Sequence, residues 1–256
     1  MVNKESILYR EHPDWLLELS GYEQPSCRWQ YLLDLQNPDC FNYLYERLNN
    51  LLSRYNIAYL TWDMNRELVQ PGHHGKPAVN RQTKALYALI DKLLAVHTEI
   101  EIESCSSGGG RIDFEILKRT HRFWASDSND ALERQAIQRD MSYFSPPEVM
   151  GAHIGPDESH TTRSCHHMNL RGMTALSGHM GVELDPVKAS QTEKDAMAKY
   201  IALHKKFRQL QHTGRSFRLD TTDKNQNVYG VLNDNHSLSV NYAELCLAFS
   251  SSYCLH

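Results

Sequence analysis

No stretch of the 256-residue chain stays apolar for the roughly 20 residues that a membrane-spanning helix needs. The opening residues, MVNKESILYREHPDW, lack the apolar core of a secretory leader, so a cytoplasmic protein is expected. Cysteine is sparse. Six are present, at 27, 40, 105, 165, 246 and 254, with no C-x-x-C pair, which excludes a disulfide framework. There is no basic excess either: 27 Lys and Arg stand against 31 Asp and Glu, for a net charge of −4, which argues against a nucleic-acid partner. Fourteen histidines occur without an H-E-x-x-H motif or a Cys/His quartet, so no metal is expected. The S-S-G-G-G run at 106–110 lacks the Gly-Lys-Ser/Thr ending of a phosphate loop.

What is present is enough apolar sequence, 41% against 23% charged, to bury a sizeable core. Short apolar runs alternate with amphipathic stretches from Arg28 onward. The runs are Tyr31 to Leu35, Ile57 to Trp62, Ile100 to Cys105, Phe123 to Ser126, Val149 to His153 and Gly181 to Leu184. Between them, Asn37 as N-cap and Pro38 at the first helical position predict a helix over 38–54. Leu86, Leu89, Ile90, Leu93 and Leu94 predict a second. Further helices are expected over 111–120, 129–141 and 192–210. Strand, loop and helix in this order imply right-handed crossovers and a parallel sheet. The fold class is therefore α/β: an incomplete (β/α)8 barrel of about six strands, since eight would take about 250 residues. From Ser216 the pattern turns to short β segments parted by Asn/Asp turns, at 216–219, 228–232 and 237–249.

Polar residues cluster just after the strands, where such a fold keeps its active site. Asp63 in YLTWDMNRE and Asp127 in FWASDSND each end a strand and each closely follow a tryptophan. Two carboxyl groups facing one pocket suit glycoside hydrolysis, one attacking and one protonating the leaving oxygen. Trp62 and Trp124 offer apolar faces on which sugar C–H groups can stack. The glycines at 108–110 let backbone approach a ligand without Cβ interference. A lone Asp at a strand end is more often a helix cap or a surface residue, and Asp127 before Ser128, Asn129 and Asp130 fits a cap too.

The segments YREHPDWLLELSGY, RWQYLLDL, WDMNRE, ESCSSGGGRID, WASDSND, MGAHIGP and LRGMTALSGHMGVELD are similar, in this order, to those of glycoside hydrolase family 36, the bacterial and fungal α-galactosidases. The likeness covers about residues 8–235. It implies that Asp63 is the nucleophile and Asp127 the general acid/base of a retaining double displacement. It places Arg28, Thr61, Trp62, Asn65, Cys105 and Gly108 around an α-galactosyl substrate, with no metal and no organic cofactor. Nucleic acid and membrane are not implied as partners. The family usually has Lys where Thr61 stands, Gly where Ser107 stands and Asn where Trp29 stands. The likeness assigns residues 1–211 to the catalytic barrel and 212–256 to the start of a β-sandwich domain. It puts the family's N-terminal domain and first barrel strands ahead of Met1. Alternatives are an inactive remnant or sugar-binding fragment, or an α-N-acetylgalactosaminidase or transglycosidase of the same family.

Overall fold

The computed structural model describes residues 1–19, 21–22, 24–223, 226–234 and 238–244. The end of the expected 237–249 segment and the last two cysteines lie outside the described residues. The chain divides into two compact units, Met1–His121 and Arg122–His256.

In the first unit, β1 (Val2–Asn3) pairs antiparallel with β2 (Gln30–Tyr31), with α1 (Ile7–Glu11) between them. Next come α2 (Pro38–Arg54) and β3 (Tyr59–Trp62). A small hairpin of β4 (Gly72–His73) and β5 (Lys76–Pro77) leads to α3 (Val79–Leu94), β6 (Glu101–Ser104) and α4 (Phe114–Leu117). Strands β3 and β6 are parallel, from Tyr59 opposite Glu101 to Trp62 opposite Ser104. Helix α2 starts where Asn37 accepts hydrogen bonds from the Asp39 and Cys40 amides, with Pro38 in the first turn. Leu86, Leu89, Ile90 and Leu93 of α3 bury one stripe against Leu52, Ile100, Ile102 and Ile116.

One expected parallel strand is not there. The run Tyr31 to Leu35 turns back on the N-terminal segment instead. Leu17 N–H donates to Leu32 O (2.9 Å) and Asp34 N–H to Trp15 O (2.7 Å). Buried side-chain amides take the groups that remain. Gln24 accepts from Leu32 N–H (3.1 Å), and Gln82 of α3 accepts from Leu35 N–H (2.9 Å) while donating to Leu33 O (2.8 Å). With its backbone polar groups met in this way, the run has no need of a parallel neighbour.

The second unit holds β7 (Arg122–Trp124), α5 (Ala131–Met141), β8 (Met150–Ile154), α6 (Met168–Ala175), β9 (His179–Val182) and α7 (Gln191–Thr213). Strands β7 and β8 are parallel, as are β8 and β9. Gln135 and Gln138 of α5 donate to Thr174 Oγ1 (2.5 Å) and Thr174 O (2.9 Å), a buried polar seam against α6. Gly172 of α6 leaves room for the Tyr200 ring of α7, which a Cβ there would strike. Helix α7 opens with a capping box of Ser190 and Glu193. An antiparallel ladder of β10 (Arg215–Leu219), β11 (Gln226–Leu232) and β12 (Leu238–Glu244) follows.

Two parallel strands in the first unit and three in the second make five, one fewer than expected, and each precedes a helix. This is an incomplete (β/α)8 barrel followed by a short antiparallel β segment. No helix among the described residues is long and apolar enough to cross a membrane.

Candidate active site

Asp63 follows the last residue of β3, and Cys105 the last residue of β6. The ladder runs one step past the strands, with Cys105 N–H donating to Trp62 O at 2.9 Å. Beyond it, Asn65 joins two turns. Its Nδ2 donates to the Asp63 carboxylate, and its Oδ1 accepts from the Ser107 amide (3.1 Å) and hydroxyl (3.3 Å). The Ser107 amide, which can only donate, fixes which way the Asn65 side chain faces, so its NH2 group is the one aimed at Asp63. The Ser106 hydroxyl donates to Met64 O at 2.9 Å. Ser107 (φ 47°) and Gly108 (φ 75°) both take the left-handed conformation that brings the chain back toward Asn65. At Gly110 a Cβ would lie 2.6 Å from Ser106 O, so the turn closes only with glycine.

Arg111 underpins both turns. Its Nη2 donates to Trp62 O (3.0 Å) and Cys105 O (2.9 Å). Burial lowers its pKa, opposed by attraction to Cys105, Tyr87, Asp63 and Asp113. A positive charge therefore stands within electrostatic range of the Asp63 carboxyl. Next to it, the Tyr87 hydroxyl donates to Asp113 at 2.6 Å. Burial, and then that carboxyl, push the Tyr87 phenol up to about 12. A cavity of about 450 Å³ opens beside Trp62, Asp63 and Arg111, walled largely by Leu32, Leu44 and Leu86. Cys105 is a buried thiol.

Arg28 and Thr61 lie differently. Arg28 (φ 52°) and the 82% exposed Trp29 (φ 60°) are consecutive left-handed residues. They line a depression of about 610 Å³ with the N-terminal strand. The Glu67 carboxyl is held below its ordinary range by its own backbone amide first, then by Cys27, with Arg66 and Arg28 adding attraction. Among the described residues no hydrogen bond joins Arg28 to Asp63 or Asn65. The Thr61 hydroxyl donates to the Tyr59 phenol at 3.2 Å.

In the second unit Asp127 stands three residues beyond the end of β7. It is not a helix cap. Asp130 caps α5, accepting from the Leu132 amide (2.8 Å) and the Glu133 amide (3.1 Å). Asp63 is not a cap either, because the next helix, α3, begins at Ala78 with no side-chain cap bond. The cap reading of both aspartates is thereby removed. The Asp127 turn is closed by Ser128 N–H donating to Ser126 Oγ (3.1 Å). Arg134 ties it to β8, donating to Ser126 O (3.2 Å) and Gly151 O (2.7 Å). Trp124 corrects one expectation. It is buried, stacked on His153 (centroids 4.2 Å, 20°) with the Arg134 guanidinium 4.0 Å from its ring, so it is a packing wedge rather than an open sugar platform.

Three contributors escaped the sequence reading: Arg111, Asp130 and His166. Arg111 stood in plain view at the end of the glycine run. Asp130 with Glu133 three residues on fits the spacing of a helix start, a signal that favours Asp130 over Asp127 as the cap. His166 donates to Asp130 Oδ1 at 3.0 Å from 36 residues away, which no local pattern announces. Among the described residues no group of three or more His, Cys, Asp or Glu is placed to hold a metal ion.

The sequence profile of the melibiase family matches residues 1–214. The chain belongs to the melibiase family. This melibiase chain is 54% identical to an α-galactosidase of Escherichia coli over 237 residues, which are 93% of the chain and 34% of that protein. It is 32% identical to α-galactosidase Mel36A of Lactobacillus acidophilus, over 99% of the chain and 36% of the relative. Among solved structures, the family 36 α-galactosidase AgaA of Geobacillus stearothermophilus superposes with a TM-score of 0.89 at 33% identity. That match covers 94% of this chain and 35% of AgaA. The chain thus spans about a third of the length of the curated relatives it matches. The resemblance to glycoside hydrolase family 36 holds for this melibiase.

Proposed function

We propose that this chain carries the nucleophile and the general acid/base of an α-galactosidase, removing terminal α-galactosyl residues from oligosaccharides such as raffinose or melibiose. Asp63 attacks the anomeric carbon while Asp127 protonates the departing oxygen. Water then enters with Asp127 as base, and the anomeric configuration is retained. Such a mechanism calls for carboxyl groups about 5–5.5 Å apart. Asn65, Cys105, Gly108, Trp62, Thr61 and Arg28 are the proposed sugar contacts. Residues 1–211 are the catalytic part and 212–256 the start of a β domain, a division supported by the antiparallel ladder that begins at Arg215.

One observation carries the reading. Both aspartates stand just past the C-terminal ends of parallel strands, and neither is used up as a helix cap. One relative adds support: a variant of AgaA is known in complex with raffinose and another variant with stachyose.

The test is hydrolysis of 4-nitrophenyl α-galactoside and raffinose by the full-length protein, with the product anomer followed by NMR. First-formed α-galactose, lost in Asp63→Ala, supports the reading. A folded protein without turnover, or one that first forms β-galactose, overturns it. The same assay with 4-nitrophenyl α-N-acetylgalactosaminide examines the sugar, since Thr61 brings a hydroxyl where a lysine would bring a charge.

A further inference from the structure

The loop between β8 and α6 closes on itself. Ser159 N–H donates to Ser164 O, Arg163 N–H to Ser159 O and His166 N–H to Asp157 O, each at 2.9 Å. Arg163 takes the left-handed conformation at the tip (φ 63°). The base of the loop is anchored by buried Arg171, which donates to His166 O (2.9 Å), Gly155 O (2.9 Å) and Glu193 (2.8 Å).

This preformed loop grips the three residues that follow Asp127, one after another. The Ser128 hydroxyl lies 3.4 Å from that of Thr161 and donates to Glu133 at 2.5 Å. The Ser159 hydroxyl donates to Asn129 Oδ1 at 3.0 Å. Asp130 receives His166 Nε2–H on one oxygen (3.0 Å) and the Thr162 hydroxyl on the other (2.5 Å). Burial would raise the Asp130 carboxyl, but the bonds from Thr162, the Glu133 amide and His166 outweigh it and hold it below the ordinary range. Asp130 is 2% exposed, so it meets no ligand itself. Capping α5 needs only one of its oxygens. The second oxygen and the histidine serve the loop.

We infer that Asp130 and His166 are positioning residues that lock the 157–166 loop onto the Asp127 turn and thereby set the reach of the general acid toward the leaving-group oxygen. The inference rests on the assignment of Asp127 made above. In the glycosylation step the C1–O bond breaks, its electron pair goes to the departing oxygen, and the Asp127 proton joins that oxygen, so a sugar leaves as a neutral alcohol. A nitrophenolate leaves without that proton. Displacing the acid therefore harms poor leaving groups selectively, whereas a general loss of fold harms all substrates alike.

The experiment compares kcat/KM of the full-length protein on raffinose and on 4-nitrophenyl α-galactoside. Asn caps a helix as well as Asp does, so Asp130→Asn keeps α5 while weakening the grip on His166 and Thr162. Asp130→Asn, His166→Gln and Thr162→Val are each expected to lower kcat/KM on raffinose by about tenfold or more and on the nitrophenyl substrate by less than about threefold. Thr162→Ser is expected to restore the wild-type ratio. Circular dichroism identifies any variant that fails to fold, and the cap-preserving Asp130→Asn then decides alone. Equal losses on both substrates, or no loss on either, overturn the inference. Asp127→Asn separates the two failures. If it shows the substrate contrast and Asp130→Asn does not, only the positioning role falls. If Asp127→Asn shows no contrast, the acid assignment falls and the positioning role with it.

Discussion

Around Asp63 the chain is held mainly by neutral groups: the Asn65 amide, the Ser106 and Ser107 hydroxyls and a glycine-dependent turn, with one cation, Arg111, beneath. Around Asp127 the turn is held by the Arg134 guanidinium and by a buried carboxylate, Asp130, which is shared among a helix start, a histidine and a threonine. The first turn draws its support from its own strand and the next one in the same unit. The second draws it from a loop some 30 residues further along the chain. The proposed nucleophile is served by donors fixed close to it. The proposed acid/base depends instead on where its turn is set. Changes on the Asp63 side should therefore act on every substrate, and changes on the Asp127 side chiefly on substrates that need the proton.

The largest effect that tests this contrast is Asp63→Ala. With Asp63 in its proposed role as nucleophile, the change should lower kcat/KM on the order of 10⁴-fold or more for both leaving groups. A loss confined to raffinose would reverse the two roles. Next, Asn65→Ala should cost about 10²-fold, again equally on both substrates, because it strips the amide that donates to Asp63 and frees the Ser107 turn. Arg111→Met should destabilise by about 2 kcal/mol in urea unfolding, since Cys105 O and Trp62 O lose a charged donor. Lysine cannot replace the two-carbonyl contact of a planar guanidinium, so Arg111→Lys should recover little.

A pH effect should come from elsewhere in the second unit. At the N-terminal end of β9, the Arg122 guanidinium donates to His179 Nε2 at 3.1 Å. His212 stacks on His179 (4.9 Å), and His204 lies 5.9 Å from His212. Burial, then the nearby His212 and Arg208, push His204 below the usual imidazole value. The unfolded chain thus binds its proton more readily. The stability that His204 contributes is full above about pH 6.5 and declines as the pH falls through the unfolded value. His204→Gln should flatten the urea midpoint between pH 7 and 5.5 while leaving the leaving-group ratio unchanged. Smallest of all, Asn37→Ala should cost about 1 kcal/mol through its lost cap and likewise leave the ratio alone.

Periodicity and capping carried much of the fold. Helix 38–54 was legible to the residue because Asn37, Pro38 and the leucine spacing all act locally. The strand-end positions of Asp63 and Asp127 were legible for the same reason. The run Tyr31 to Leu35 misled because an apolar stretch does not say which partner meets its backbone groups, and here buried glutamines do. The helix expected over 111–120 shrank to Phe114–Leu117, since Arg111 is drawn under the strand ends and Asp113 is the cap, so helical residues begin only at Phe114. The roles of Trp124 and His166 could not be read locally, because each depends on a residue at least 29 positions away.

The ring pair of Trp124 and His153 also gives the protein an optical signal of its own. An excited indole lying flat against an imidazole at 4.2 Å can pass an electron to that ring once it is protonated, and its emission then dims. Glu183 stands 3.6 Å from His153 Nδ1, so a proton gained by that ring would have a carboxylate beside it, and the expected sign of that gain is a dimmer Trp124.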